Sequence, residues 1–379
     1  MPKTVNVGLI GYAFMGKAHS AAFRDVPIYF PDVKLKPVMK SICGRDERAV
    51  REAANRLGWE EYETDAMTLI RRDDIQVVDV CSPGWAHKDQ VIAAAKAGKH
   101  IICEKPIGNN LKEAKAMANA VNAAGVQNTV MFNYRRIPAM SYARDLIRAG
   151  EIGEIRHFRA FYLQDWISDP DFPMVWRLDK KQAGSGTLGD IGSHIIDMGR
   201  FLVGEIDEVV GTLKTFVKER PIETGSRKKA RVTVDDATAF IANFDNGAIG
   251  TFEATRFARG RKNYNGFEIY GSKGSLLFNF EDMNRLQFLS TKDNPLSQGF
   301  RDIIVTEPGH PYVKGWWPPG HIIGYQHTFA HAIYDFLNNL AKGKSTAPDI
   351  NDGVMVQAVL EAVEMSDKQR GWVRIKDLL

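Results

Sequence analysis

Six residues, Gly11-Tyr12-Ala13-Phe14-Met15-Gly16, constrain this chain more than any other segment. They follow a short apolar run, Val5–Ile10, and open a stretch with helical spacing, Met15–Val26. The pattern is G-x-G-x-x-G with Ala13 at the second glycine. Its strand–turn–helix setting is the one a dinucleotide-binding loop requires. Gly11 makes the tight turn. Ala13 still lets the backbone approach a pyrophosphate, and Gly16 lets the helix pack near the strand. Phe14 and Met15 begin that helix, whose free N–H groups present a site for phosphates.

The same strand–helix unit then repeats along the chain. Strand-like Lys36–Cys43, Val77–Ser82, His100–Cys103 and Val126–Phe132 alternate with helix-like Asp46–Leu57, His87–Ala97 and Leu111–Ala124. Asp46 reads as an N-cap; Gly58, Gly98 and Gly125 read as stops. This predicts a Rossmann-type doubly wound parallel sheet over residues 1–132. Beyond it the pattern changes. A helix at Met140–Ala149 leads to a long strand at Ile155–Leu163, then a helix at Gly189–Leu202. Strands without intervening helices come next, at Val209–Val217, Ala237–Phe244, Ala248–Thr255, Phe267–Tyr270 and Ser275–Phe280, with hairpin turns at Asn246-Gly247 and Ser272-Lys273-Gly274. Helices near Tyr325–Leu340 and Gly353–Ser366 close the chain. Residues 133–379 are therefore expected to form one α+β domain with an open, mostly antiparallel sheet. No Gly/Ser linker separates it from the first, so the two are expected to pack closely.

The length of 379 residues suits two domains, at about 150 residues each. Hydrophobic residues at 44% and charged ones at 25% exclude a disordered chain. No apolar run reaches the roughly 18 residues of a membrane span. A net charge of 50 − 46 = +4 gives no case for nucleic acid. The basic run Arg227, Lys228, Lys229 and Arg231 lacks interleaved aromatics and reads as a solvated hairpin loop. The N-terminal MPKTVNVGLIG lacks an apolar signal segment, and three cysteines are too few for a disulfide framework. A reducing, cytoplasmic setting is expected. Cys43, Cys81 and Cys103 end three core strands and read as small buried apolar residues.

The end of the second strand selects the cofactor. A carboxylate there would accept from the ribose 2′-OH of NAD. This sequence instead has Gly44 and Arg45. A glycine leaves room for a 2′-phosphate, and a guanidinium pairs with it or stacks on adenine. NADP is expected over NAD.

Glu104-Lys105-Pro106 after the fourth of these strands, with Gly11–Gly16 and Asp190-x-x-x-His194, resembles the Gfo/Idh/MocA family of sugar and cyclitol oxidoreductases over essentially the whole chain. Phe132-Asn133-Tyr134-Arg135-Arg136, Tyr162-Leu163-Gln164-Asp165-Trp166, Trp176-Arg177 and Ala183-Gly184-Ser185-Gly186 resemble the branch that oxidises the anhydro-sugar levoglucosan, with inositol dehydrogenases as relatives. The resemblance implies an NAD(P)-dependent dehydrogenase acting on a secondary hydroxyl, without a metal. It also implies a homo-oligomer, a tetramer or dimer built sheet to sheet. Myo- or scyllo-inositol oxidation, a non-catalytic sugar or dinucleotide sensor, and an NAD-dependent glycoside-cleaving enzyme remain as alternatives on the same fold.

Oxidising a secondary alcohol needs an acceptor for the hydroxyl proton while hydride leaves carbon. His194 is the natural base. Asp190, one helical turn earlier, shares its face and can bind a substrate hydroxyl. Lys105, at the carboxyl end of a parallel strand, can hold the reacting oxygen and stabilise developing alkoxide. Glu104 orients Lys105 or meets the nicotinamide ribose. Asp197 adds a third polar group on the helix; a metal site with Asp190 and His194 is the weaker reading, and bracing a neighbouring strand or loop the stronger.

A sugar pocket combines hydrogen-bonding groups with aromatic faces. Tyr134, Gln164, Trp166 and Arg177 fit, with Tyr325 entering from the late helix. Ser82 and Pro83 begin a loop that in the family covers the nicotinamide side, and His87 comes after it as a cofactor contact or helix cap. Trp316-Trp317-Pro318-Pro319-Gly320 reads as an oligomer contact or a pocket lid.

Overall fold

The computed structural model describes residues 3–379, which divide into two compact units. One holds the chain up to Arg136 together with Ile323–Met355; the other holds Ile137–Ile322 and Val356–Leu379.

In the first unit, β1 (Lys3–Ile10), α1 (Phe14–Tyr29), β2 (Leu35–Cys43), α2 (Glu47–Leu57), β3 (Glu61–Glu63) and α3 (Ala66–Arg71) come first. β4 (Val77–Val80), α4 (Gly84–Lys96), β5 (His100–Cys103), α5 (Leu111–Ala124) and β6 (Asn128–Val130) complete it. The six strands are parallel in the order β3-β2-β1-β4-β5-β6. Order reverses between β1 and β4, and ligands of such sheets bind beyond the strand ends at that point. The helix boundaries result from capping. Asp46 accepts from the Ala49 N–H at 2.8 Å, and Gly58 ends α2 at φ 85°. Asn110 caps α5, and Gly125 ends it at φ 63°. α4 starts at Gly84, not at His87, because Pro83 at its N-cap (φ −61°) aims the chain straight into the helix.

The second unit opens with α6 (Pro138–Arg148), β7 (Ile155–Leu163), the short α7 (Lys180–Ala183) and α8 (Ser193–Leu202). Its later strands are β8 (Ile206–Lys214), β9 (Glu219–Pro221), β10 (Lys229–Arg231), β11 (Ala237–Phe244), β12 (Ile249–Thr255), β13 (Tyr264–Gly271), β14 (Gly274–Asn279), β15 (Arg285–Ser290) and β16 (Arg301–Ile304). After α9 (Tyr325–Leu340) and α10 (Ile350–Gln369), β17 (Val373–Arg374) joins the same sheet. Nine strands run in the order β16-β15-β14-β13-β7-β12-β11-β8-β17, antiparallel except for the β7–β12 pair. One face packs on α8, where Phe158 and Phe252 meet the helix at Gly199. The other face carries Arg159 between Glu253 (3.5 Å) and Glu268 (3.3 Å), beside the exposed Ile241. The basic run falls on and before β10 of the small β9–β10 hairpin, exposed as expected. Trp316 is buried and Trp317 exposed, so the two aromatics of that loop do different things.

The units differ from a division at residue 132 because α9 belongs with the parallel sheet. It packs on α1: Phe329 lies against His19 (ring centroids 5.3 Å), and Tyr334 meets Phe30 (4.5 Å) and Asp32 (2.9 Å). Those partners are some 300 residues away in sequence, where no periodicity reveals them.

α9 also carries a buried histidine. His331 Nδ1 donates to the Arg136 carbonyl at 2.7 Å, and burial pushes its pKa from 6.5 down to about 3. The unfolded ring binds a proton that the folded ring refuses below pH 6.5. Its stabilisation is therefore full above that pH and is lost as pH falls towards 3, by about 1.4 kcal/mol per pH unit. Urea unfolding at pH 7.5 and 5.0 is expected to show a loss of about 2 kcal/mol that His331→Gln lacks. An equal pH dependence in both proteins would refute this.

Candidate active site

The first unit gathers its functional residues at the carboxyl ends of β1, β4 and β5. Gly11 has φ +106°, and a Cβ there would sit 2.7 Å from the Cys81 carbonyl oxygen. A Cβ on Gly16 would come within 2.0 Å of the Gly11 oxygen. Both glycines are thus required for the loop to lie against β4 and the helix to start where it does. Ala13 is the N-cap of α1 and places no side chain on the first-turn N–H groups. That leaves the donors at Phe14, Met15 and Gly16 available to a pyrophosphate. The cradle fits a dinucleotide.

At the end of β2 the structure corrects one inference. Gly44 does not leave open room: a Cβ there would lie 2.0 Å from the Tyr12 ring. The glycine instead lets Tyr12 of the phosphate loop pack against the strand end. Arg45 is exposed, with its guanidinium 5.7 Å from the Trp85 ring centroid. The nearby carboxylates have other work: Asp46 caps α2, Asp65 caps α3, and Glu63 lies 3.3 Å from Arg72.

The loops after β4 and β5 brace each other. His87 turns Nε2 to the Ser82 carbonyl (2.7 Å) and Nδ1 to the Pro106 carbonyl (3.1 Å), and burial pulls its pKa down. The Ser82 hydroxyl donates to Gln90 at 2.6 Å. Glu104 is buried, whereas Lys105 is half-buried at the strand end. Tyr325 stacks on Phe14 (6.1 Å, 4°) and meets Tyr134 edge-on (6.3 Å). Burial pushes the Tyr325 phenol up. Both tyrosines belong to this unit, so two of the expected sugar contacts share it with the phosphate loop.

The second unit gathers the others. Asp190 does not lie on an ordinary α-helix: Leu188–Gly192 forms a π-helical turn that runs directly into α8. Such wide turns recur at functional sites. The 3.6-residue period behind a shared face for Asp190 and His194 therefore breaks within that interval. The turn is held from outside the helix. Buried Asp235 accepts from the Gly186 N–H (2.8 Å) and the Leu188 N–H (2.7 Å), and burial raises its pKa against those bonds. A Cβ on Gly186 would meet the Asp235 oxygen at 2.0 Å, which explains the glycine at that position.

Arg256, wholly buried, reaches the Thr187 hydroxyl (3.0 Å) and Asp190 Oδ2 (3.4 Å), with the Trp166 ring 5.5 Å away. Trp166 donates to Gln164 at 3.1 Å; Gln164 and the Tyr162 hydroxyl both donate to Asn263 Oδ1 at 2.7 Å. The Tyr162 ring lies 6.0 Å from the His194 ring. A carboxylate, an indole and amides thus belong to one connected network, with the His194 imidazole beside its Tyr162 ring. Arg256, Asp235 and Asn263 were not expected, because nothing local marks a residue whose partners lie dozens of positions away. Arg177 is exposed and lies over its neighbour Trp176 at 4.4 Å. Asp197 is buried on α8. Among the described residues, the one grouping of His, Cys and acidic atoms close enough for a metal ion is His19, Asp79 and Cys81. Cys81 is correspondingly more than the apolar filler expected, with Sγ 3.3 Å from His19 Nδ1.

A phosphate loop on this strand order, a lysine at the end of β5 and a carboxylate–imidazole helix in the second unit define a dinucleotide-dependent oxidoreductase. Residues 5–133 match the family described as "Oxidoreductase family, NAD-binding Rossmann fold", and residues 140–277 match the "GFO/IDH/MocA C-terminal domain". The chain belongs to the Gfo/Idh/MocA oxidoreductase family. It is 43% identical to levoglucosan dehydrogenase of Pseudarthrobacter phenanthrenivorans, over 99% of both chains. Among solved structures it is similar to an oxidoreductase domain protein from Kribbella flavida (54% identity, TM-score 0.96, covering 99% of this chain and 100% of that one). It is also similar to levoglucosan dehydrogenase in complex with NADH and levoglucosan (44% identity, TM-score 0.95, covering 98% and 99%). No helix among the described residues is long and apolar enough to cross a membrane.

Proposed function

We propose that this protein is a sugar dehydrogenase that oxidises a secondary hydroxyl of levoglucosan or a closely similar anhydro-sugar. The observation that carries this reading is the network joining Asp190 through Arg256 and Trp166 to Gln164, Asn263 and Tyr162. An aromatic face, fixed amides and a carboxylate suit a C–H-rich ring studded with hydroxyls. Full-length similarity to levoglucosan dehydrogenase supports it.

A nicotinamide bound at the phosphate loop supplies the hydride acceptor. In this reading Lys105 holds the reacting oxygen and lowers the hydroxyl pKa. His194 takes the hydroxyl proton as the C–H electron pair departs as hydride, and Asp190 holds a neighbouring hydroxyl. Tyr134, Gln164, Trp166, Arg177 and Tyr325 are the sugar contacts. Gly11, Ala13, Phe14, Met15, Gly16, Ser82, Pro83, His87 and Glu104 shape the dinucleotide site.

NADP preference belongs to the same proposal. The carboxylates around the β2 end are committed elsewhere, and Arg45 is exposed beside Trp85. A 2′-phosphate would meet a cation there. A reducing cytoplasm, supported by three free cysteines, completes the reading. So does a homo-oligomer, supported by exposed Ile241 and Ile249 on the open sheet face; a monomeric mass in solution would refute it.

The test is cofactor reduction with NADP and NAD offered separately against levoglucosan, inositols, glucose, galactose and xylose. Steady reduction on levoglucosan is expected. Arg45→Ala should lower kcat/KM for NADP by about tenfold to a hundredfold, leaving NAD nearly unchanged. NAD preference in the unsubstituted protein would sink the Arg45 argument alone. Turnover of an inositol but not of levoglucosan would replace the substrate. Binding without turnover would remove the dehydrogenase reading.

A further inference from the structure

Beneath the carboxyl ends of β1, β4 and β5 lies a charged cluster of which only Glu104 has been given a role so far. His19, in the second turn of α1, is fully buried. Its Nδ1 lies 2.7 Å from Asp79 Oδ2 on β4, and its Nε2 lies 3.0 Å from Glu104 Oε1, one residue past β5. The other Glu104 oxygen accepts the Lys105 backbone N–H at 3.1 Å. Phe329 covers the imidazole, and Cys81 Sγ approaches both Nδ1 (3.3 Å) and Asp79 Oδ1 (3.5 Å).

An imidazole with a carboxylate at each nitrogen has two acceptors to satisfy, and only the imidazolium donates twice. Burial is the largest influence on this ring and opposes the charge. Against it the charge and the hydrogen bond of Asp79 act together with smaller contributions from its other neighbours, and the pKa stands well above the usual histidine value. The Cys81 thiol does not supply that attraction: burial pushes its own pKa well up, so it is neutral near pH 7. Buried ions are a poor way to gain stability, since apolar side chains of similar volume do as well or better. What this cluster does supply is a rigid tie. It joins the helix that starts at the phosphate loop, the strand beside it and the strand that ends at Lys105.

We propose that His19 is a positioning residue: by bridging Asp79 and Glu104 it fixes the Glu104 carboxylate, and through that carboxylate the backbone of Lys105, for hydride transfer. The inference rests on the role given to Lys105 above. An asparagine or glutamine at position 19 reaches one carboxylate, not both. Glu104 then loses its anchor, and small displacements of a reacting group lower rates by about a hundredfold.

His19→Asn is accordingly expected to lower kcat about a hundredfold while changing the dinucleotide KM less than about threefold. The double variant His19→Asn/Glu104→Gln should be no slower than Glu104→Gln alone, because the two residues act in series. Unchanged kcat, or losses that multiply in the double variant, would overturn the proposal. Lys105→Met separates the two ideas. If it keeps full activity, the role of Lys105 fails. If it is inactive while His19→Asn is normal, only the positioning role fails. Because a buried substitution can unfold the chain, the unsubstituted protein provides a second arm. In nitrogen-15 histidine spectra, assigned by the peaks missing in His19→Gln or His19→Asn, His19 should still be imidazolium at pH 7.5, where an ordinary histidine is mostly neutral. A neutral His19 ring at pH 7.5 would overturn the proposal.

Discussion

Lys105→Met is expected to lower kcat on the sugar by about 10² to 10³-fold, while the dissociation constant for the reduced dinucleotide changes little. Methionine keeps the unbranched stem of this half-buried side chain, so packing at the end of β5 is nearly preserved. What disappears is the ammonium. In the proposed mechanism negative charge develops on the oxygen as the hydroxyl proton leaves, and a preorganised cation there stabilises the transition state more than the ground state. The loss should therefore fall on kcat and not on KM. His194→Ala removes the proposed proton acceptor and is expected to cost a comparable factor, about 10² to 10⁴-fold. If both groups serve the same O–H, as proposed, the double variant should lose much less than the product of the two. Steady-state rates and single-turnover absorbance changes decide this. A Lys105→Met protein with more than a tenth of normal kcat would exclude the assigned role.

Gly16→Ala should damage dinucleotide binding as severely as any single methyl group can. The added Cβ would sit 2.0 Å from the Gly11 carbonyl oxygen, a backbone atom that cannot rotate away. Gly11 is itself pinned: its N–H donates to the Cys43 carbonyl at 2.9 Å, and its Cα faces the Cys81 carbonyl. The relief available is for α1 to move off β1, carrying the first-turn N–H groups with it. Those groups are the proposed phosphate donors, so binding should weaken by more than about a hundredfold, equivalent to about 2.7 kcal/mol. Fluorescence titration with NADH and NADPH measures it, with Gly58→Ala as the control. Gly58 has φ +85° but open space around it, so that variant should add only backbone strain and leave binding intact. Equal binding by Gly16→Ala and the unsubstituted protein would mean that the loop is not the phosphate site.

Where a local signal was strong, the sequence was legible. His100–Cys103, Leu111–Ala124, Ile155–Leu163, Ala237–Phe244 and Tyr325–Leu340 have the boundaries their periodicity and stop residues indicate. Short pieces were not legible. β3, β9 and β10 have three residues each and β17 has two, too few for alternation to register; β9 and β10 pair with each other, while β17 finds its partner β8 far away in the chain. The π-helical turn at Leu188–Gly192 was hidden for another reason. Its residues suit an α-helix, and its width is imposed by Asp235 and Arg256 from elsewhere in the unit.

Determined by the sequence alone were the phosphate loop, the parallel sheet behind it, the change to an antiparallel sheet, and the residue types able to move a hydride and a proton. Each of these leaves a local trace in residue spacing, periodicity or turn residues, legible without knowing which segments meet. The tertiary structure alone decided that Tyr12 fills the space beside Gly44, that α9 packs on α1, that Arg256 reaches Asp190, and that His19 bridges Asp79 and Glu104. Each of these is a contact between segments brought together only by burial, and burial depends on the whole set of packed faces at once.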